Sequence, residues 1–260
     1  MGIYNSSEHR VKPLMEVLEK DESKFHDFLN LMDISVSGKP EEFCYSGDNS
    51  KEKALKPTKR HLKELVCHLS KNGKGKFKSD NEKRQKLFAG DEKTKENALK
   101  EIEENYEQLP SRAWYIFEGN SYPDIYIEGD DYIIIGEGKW TEPKITEGTT
   151  YLKENRNQMI RHIQGALNSE NKTVYAFYIV DEVYGADYLD ELEKSVFEEK
   201  VKKETIKLQP EEAKKIISAY KGYLTWQIIE RELGIKFQTK DDVFKSHMSV
   251  SPKKSFRAKP

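Results

Sequence analysis

The stretch YPDIYIEGDDYIIIGEGKWTE, residues 122–142, decides the fold. Residues 124–128 (DIYIE) alternate as a strand does, Gly129-Asp130-Asp131 supplies turn chemistry, and 132–139 (YIIIGEGK) returns as a second strand. With a four-residue loop, Gly129 to Tyr132, Glu128 pairs with Ile133. Counting outward then sets Asp124 opposite Glu137, on one face of the hairpin. Directly opposed residues hold their Cβ atoms ~5 Å apart, so two carboxylates there repel unless a cation sits between them. Lys139, two residues beyond Glu137, points to the same face. A three-residue loop would oppose Asp124 to Gly136 instead, and a bulge would be needed to restore the constellation. Gly136 and Gly138 weaken a strand, so they mark close backbone approach or a bend; Pro123 suits a strand start because it has no N–H to donate.

A surface hairpin with a cross-strand salt bridge would carry the same charges. Against it stand Ile125, Ile127, Ile133, Ile134 and Ile135, which put large apolar groups on both faces. Such strands are central and covered, and carboxylates beside them need a reason. A hard divalent cation with oxygen ligands is one, and Mg²⁺ keeps waters for reaction.

Outward from the hairpin, apolar periodicity predicts helices over much of Val11–Met32, over 59–70 and over Thr94–Glu107, the last stopping before Pro110. Residues 113–119 (AWYIFEG) read as a strand, Thr150–Leu167 as a helix and 173–180 (TVYAFYIV) as a buried strand. The middle of the chain therefore reads helix, strand, strand, strand, helix, strand. Helices follow near 185–203, 210–221 and 224–233, and the Lys- and Pro-containing tail from His247 reads as disordered. The expected division is a helical N-terminal region 1–90, a core 91–182, C-terminal helices 183–246 packed on it, and a basic tail 247–260.

Lys+Arg 44 against Asp+Glu 46 gives a formal charge of −2, which excludes a uniformly basic coat but not a local basic groove. Lys56, Lys59, Arg60 and Lys63 cluster at and just before the start of the helix 59–70, and Lys74-Gly75-Lys76 lies in a basic loop whose default is a solvated one. No apolar run approaches the ~18 residues of a membrane helix. Cys44 and Cys67 make neither a disulfide framework nor, with His61 and His68, a zinc site, and read as reduced thiols of a cytoplasmic protein. Walker, HExxH and Gly-x-Ser-x-Gly patterns are absent.

Pro123-Asp124 followed by Glu137-Gly138-Lys139, set on a hairpin between helices and a further strand, resembles the PD-(D/E)XK nuclease superfamily. The resemblance covers about residues 90–182. It implies an α/β restriction-endonuclease-like core, a mixed central sheet flanked by helices, here with helical N-terminal and C-terminal additions. It implies Mg²⁺-dependent hydrolysis of a phosphodiester, with Mn²⁺ as a substitute and DNA ahead of RNA as substrate. Asp124, Glu137 and Lys139 would be catalytic. Asp124, Glu137, the Gly138 carbonyl and an acid from the preceding helix would hold the metal. Glu96 is the first candidate for that acid, and Glu103 shares its face. A polar residue is expected from the helix after the motif, where Arg156, Gln158 and Arg161 are candidates. Arg156 falls inside that helix's apolar stripe, so it is paired, faces a site, or snorkels at the stripe's edge. Trp226 packs on the core in preference to stacking on a base. A homodimer is compatible with cutting both strands. Two rivals are a nuclease-fold protein without catalysis, used for nucleic-acid binding or as an interaction module, and a protein-binding acidic hairpin with no metal dependence.

Overall fold

A computed structural model of the chain describes residues 4–47, 51–110, 113–142, 147–148, 156–169, 171–204 and 208–250. A π-helical turn, Ser7–Val11, runs into α1 (Lys12–Lys20), followed by α2 (Glu22–Asn30) and strand β1 (Glu42–Tyr45). Helices α3 (Lys59–Asn72), α4 (Glu82–Phe88) and α5 (Glu92–Asn105) come next, then the hairpin β2 (Ile125–Glu128) and β3 (Tyr132–Gly138). A two-residue ribbon, β4 (Glu147–Gly148) with β5 (Arg156–Asn157), leads to α6 (Gln158–Ala166) and β6 (Thr173–Val180). The chain continues through a 3₁₀ segment (Ala186–Leu192), α7 (Lys194–Lys202), α8 (Pro210–Ala219), β7 (Tyr220–Thr225), α9 (Trp226–Leu233) and α10 (Lys240–Val250).

The central sheet has five strands in the order β1-β2-β3-β6-β7, antiparallel across β1-β2-β3 and parallel across β3-β6-β7. Strand periodicity sorts its side chains into two cores. Ile125, Ile127, Tyr132, Ile134, Phe177 and Ile179 pack under α1, α2 and α9. Tyr126, Ile133, Ile135, Ala176, Tyr178 and Val180 pack under α6, α7 and α8. Both faces are covered, which is why 133–135 can be three consecutive isoleucines. The hairpin register is the one that a four-residue loop requires: Glu128 pairs with Ile133 and Ile125 with Gly136.

Several expected elements differ. Residues 113–119 form no strand. Tyr115 and Phe117 are buried in a third core with α3, α4 and α5. The Arg84 guanidinium donates to the carbonyls of Trp114 (2.6 Å), Ile116 (3.0 Å) and Ala113 (3.2 Å), so these groups are satisfied without a ladder. The first strand of the sheet is instead β1, which makes α3–α5 an excursion between β1 and β2. α1, α2 and β1, all before residue 90, therefore pack with the central sheet. The expected helix ending at 221 stops at Ala219, and β7 follows as the fifth strand. α6 starts at Gln158, capped by the Asn157 side chain accepting from the Ile160 N–H, rather than near 150; residues 149–155 lie outside the described ones. His247 to Val250 continue α10, and 251–260 are outside the described residues. Cys44 is buried in β1 and Cys67 is exposed, both free. Among the described residues no helix is long and apolar enough to cross a membrane.

Candidate active site

Asp124 sits one residue before β2, so the Ile125–Gly136 pair carries it opposite Glu137. Both carboxylates face α6, on the side of Ile133 and Ile135. The Gly138 N–H donates to Asp124 Oδ2 (3.0 Å), and Ser7 Oγ lies 3.4 Å from Oδ1. Ser46 N donates to the Asp124 carbonyl (2.9 Å), extending the β1–β2 ladder to the site and setting the Ser46 side chain beside Asp124. Lys139 Nζ lies 3.2 Å from Glu137 Oε2. From α6, Gln158 Nε2 donates to Glu137 Oε1 (3.0 Å) and His162 Nε2 approaches the same oxygen to 2.7 Å. Gln158 and His162 are four apart, hence neighbours on one helix face.

The flanking glycines have a packing cause. A Cβ on Gly138 would come within 2.6 Å of Val11 Cγ2 and 3.1 Å of Trp226, and one on Gly136 within 2.8 Å of Phe177. Their faces press against the first core while Glu137, between them, faces the site. The Trp226 indole also donates to the Lys139 carbonyl (2.8 Å), which fixes the strand end that carries the lysine. Trp226 is a buried core residue, as the sequence suggested.

The charges are unevenly matched. Burial raises the Asp124 carboxyl, Glu137 adds repulsion, and Lys139 only partly opposes them, so it is pushed up to about 7. Burial would raise Glu137 too, but Lys139 and His162 outweigh it and hold Glu137 down at about 2. Burial works against the Lys139 ammonium, yet Glu137, Asp124 and Glu142 keep its pKa above the ordinary lysine value. The site is thus one firmly ionised carboxylate, one ammonium and a second carboxyl that gains from any added positive charge.

Some buried polar atoms at the site have no hydrogen-bond partner. Among the described residues these include Gln158 Oε1, His162 Nδ1 and Tyr188 OH beside the carboxylates, while Ser46 Oγ leans on Asp124 and Tyr178 OH on Asn157. Tyr178 is the β6 partner of Glu137, and Tyr188 lies within electrostatic reach of Lys139 and Glu142. Unsatisfied buried groups are rare and ask for a ligand, water or ion. Among the described residues no three His, Cys, Asp or Glu side chains form a ready cage for a metal. Mg²⁺ does not require one, because it binds through one or two carboxylates and keeps its waters. Asp124 and Glu137 fit that ion, the former by its surplus of negative potential.

The remaining sequence candidates lie elsewhere. Glu96 is exposed on α5, whose buried residues Thr94, Ala98 and Ile102 serve the α3–α5 core, and it does not join the carboxylates. Glu103 is engaged by Lys59 (3.0 Å) and by Lys63. The reason is topological: the helices that precede the sheet's first strand are α1 and α2, not α5. Arg156 neither snorkels nor faces the carboxylates. It is buried with Glu118, Gln164, Glu204 (3.0 Å) and His61 (2.8 Å). Arg161 turns to Glu118 (3.4 Å) and the Gly119 carbonyl. Only Gln158 of the α6 candidates reaches Glu137. His162, Ser7, Ser46, Tyr178 and Tyr188 were not anticipated. The spacing of Gln158 and His162 was a usable signal for the histidine; nothing local marks the other four. Neither a family model, nor a curated protein, nor a solved structure matches this chain.

Proposed function

We propose that the chain is a Mg²⁺-dependent phosphodiester hydrolase of the PD-(D/E)XK type, acting on DNA. The observation that carries this reading is the pairing of Asp124 with Glu137 across β2–β3, with Lys139 on the same face and more negative than positive charge between them. The order α2-β1-β2-β3-α6-β6, with 46–124 interposed between the first two strands, supports a restriction-endonuclease-like core.

Asp124 and Glu137 would hold the cation, with the Gly138 carbonyl as a further donor. When bound, Mg²⁺ supplies Lewis acidity at the phosphate and makes water a better nucleophile. Glu137 is held in one orientation by Lys139, Gln158 and His162, which limits the reorganisation needed during reaction. Lys139 stays an ammonium, so its role is to orient the attacking water and stabilise charge growing on the phosphate oxygens rather than to take a proton. Water forms the new bond to phosphorus as the bond to the 3′ oxygen breaks, and the proton that the water loses is taken up, through solvent, by the departing 3′ oxygen.

One observation favours a non-catalytic, nucleic-acid-binding reading: each Glu137 oxygen already meets at least one donor. Cleavage separates the two. Supercoiled plasmid and single-stranded DNA are incubated with Mg²⁺, Mn²⁺ or EDTA, using wild type beside Glu137→Ala and Lys139→Ala. Metal-dependent cutting that both substitutions abolish is the expected result. Cutting that survives both would sink the assignment, and an inert wild type that still binds DNA would favour the binding reading.

A further inference from the structure

The basic residues of the α3–α5 excursion fall into two groups with different fates. Lys59, Arg60 and Lys63, at the start of α3, are consumed internally. Lys59 and Lys63 hold Glu103, and Arg60 holds Glu64 (2.8 Å) and Glu212 (3.2 Å). Lys56, just before α3, donates to the Tyr106 and Glu107 carbonyls. This is the cluster that the sequence offered for nucleic acid, and the structure leaves it little free charge.

At the other end of α3 the situation reverses. Residues 71–78, KNGKGKFK, contain four lysines and no acid. Lys71, Lys74, Lys76 and Lys78 are exposed, and among the described residues none of them forms an ion pair. The nearest acids along the chain are Asp80 and Glu82, and Glu82 is engaged by Lys86 (2.6 Å). Gly75 takes φ +72° at the turn, and a Cβ there would meet nothing within 4 Å, so the loop tip stands clear of the fold. Lys74 and Lys78 line an open hollow of about 390 Å³ with Ser79, Asp80, Gln85 and a half-buried Phe77 that packs on Phe88 (5.6 Å), and the Gln85 amide donates to the Ser79 carbonyl (2.6 Å). Four exposed lysines beside a single lining carboxylate, Asp80, around a concave surface with an aromatic floor, match a phosphodiester backbone and its sugars.

We propose that the 71–78 loop is the anchor for the nucleic-acid backbone, holding the polymer while the carboxylate site acts on it. The inference rests on the hydrolase reading for its partner class. α3 also carries His61, buried against Arg156, so the helix ties the loop to the segment that leads into α6. From His61 to Lys74 the helix axis and turn span roughly 20 Å at ~1.5 Å per residue.

The test is fluorescence anisotropy with a labelled 30-mer, as duplex and as single strand, in EDTA so that nothing is cut. Binding is measured from 50 to 200 mM salt for wild type, Lys74→Gln/Lys76→Gln/Lys78→Gln and Lys59→Gln/Lys63→Gln. Each phosphate contact contributes about 0.9 to the slope of log K against log salt on duplex DNA. The loop variant is expected to lose about 2–3 units of slope, so that over this salt range wild type weakens up to about 40-fold more than the variant. The Lys59/Lys63 variant is expected to keep the wild-type slope. An unchanged slope in the loop variant, or equal losses in both variants, overturns the proposal, as does wild type that binds anionic vesicles but neither DNA. The two readings fail separately. Cutting with an unchanged slope removes the anchor and keeps the hydrolase, whereas a lost slope with no cutting keeps the anchor and removes the hydrolase.

Discussion

Two buried clusters on either side of α6 are built from the same parts. Glu137, His162 and Lys139 make one; Glu118, His61 and Arg156 make the other. In the second, Glu118 collects Arg156, Arg161 and His61, and these outweigh burial to hold its carboxyl well below the usual range. Arg156 in turn reaches Glu204 and Gln164, so the two carboxylates face two guanidinium groups, although burial still raises Glu204 above its ordinary value. In the first, a second carboxylate, Asp124, faces Glu137 with the Gly138 N–H and the Ser46 and Ser7 hydroxyls as its donors, and burial pushes it up to about 7. One cluster is neutral by construction and joins α3, β5, α6 and the end of α7. The other is left one positive charge short. That imbalance, rather than the presence of buried charge, distinguishes a site from a clasp.

The sharpest way to break the comparison is activity. Glu137→Ala and Lys139→Ala are each expected to lower the cleavage rate at least about 10³-fold, whereas Glu118→Gln should act only through stability. A comparable loss of turnover in a still-folded Glu118→Gln protein would show that the clasp is catalytic too.

Stability should respond with opposite signs. Arg156→Met strands Glu118 and Glu204 and is expected to cost about 3–5 kcal/mol in urea unfolding. Asp124→Asn removes a repelled buried charge and should stabilise the metal-free protein by roughly 1–3 kcal/mol near pH 8. The clasp also fixes a pH dependence. Glu118 has a folded pKa below its unfolded value, so its contribution is complete above about pH 5 and drains away as pH falls toward the folded value. His61 is lowered by burial and by Arg156, so the unfolded chain takes up its proton first and stability falls again below about pH 6.5. Asp124 works the other way, because its raised carboxyl takes up a proton in the folded state first and adds stability as pH falls through about 7. In the Asp124→Asn background, urea midpoints between pH 4 and 8 should therefore drop on the acid side, and less steeply when Glu118→Gln is added. Equal slopes would remove Glu118 as a source.

A smaller effect falls on the donor between site and helix. His162→Ala leaves Glu137 with Lys139 and Gln158, and is expected to weaken Mg²⁺ activation about 10–100-fold while DNA binding in EDTA stays unchanged. If DNA binding falls instead, the histidine contacts substrate rather than positioning Glu137.

What the sequence made legible was local. The Gly129–Asp131 turn and the alternation around it mark the hairpin, and its four-residue register, one of two the sequence left open, opposes Asp124 to Glu137. The first strand was misplaced because 113–119 has a strand's composition but buries Tyr115 and Phe117 among helices, with Arg84 taking its carbonyls. β7 was hidden because YKGYLT is short and lies between two helices. The fate of Arg156 depended on Glu118, 38 residues back, and Glu204, 48 residues on, and no local pattern marks either partner.

The smallest expected effect concerns exposure. Glu103 with Lys59 and Lys63 repeats the clasp's logic of one acid and two cations, but in solvent. Screening and side-chain entropy remove most of what burial would add, so Lys63→Ala should move the Tm by no more than about 2 °C. Arg156→Met should move it several times further, since in the clasp neither water nor salt can replace the missing partner. The measurement is a pair of thermal melts at 50 and 500 mM NaCl. Salt should shrink the Lys63→Ala difference further and leave the Arg156→Met difference nearly intact, because ions screen the exposed trio and cannot enter the buried one. If salt erases both differences, the clasp is wetter than its packing indicates, and the contrast between a matched and an unmatched buried cluster loses its footing.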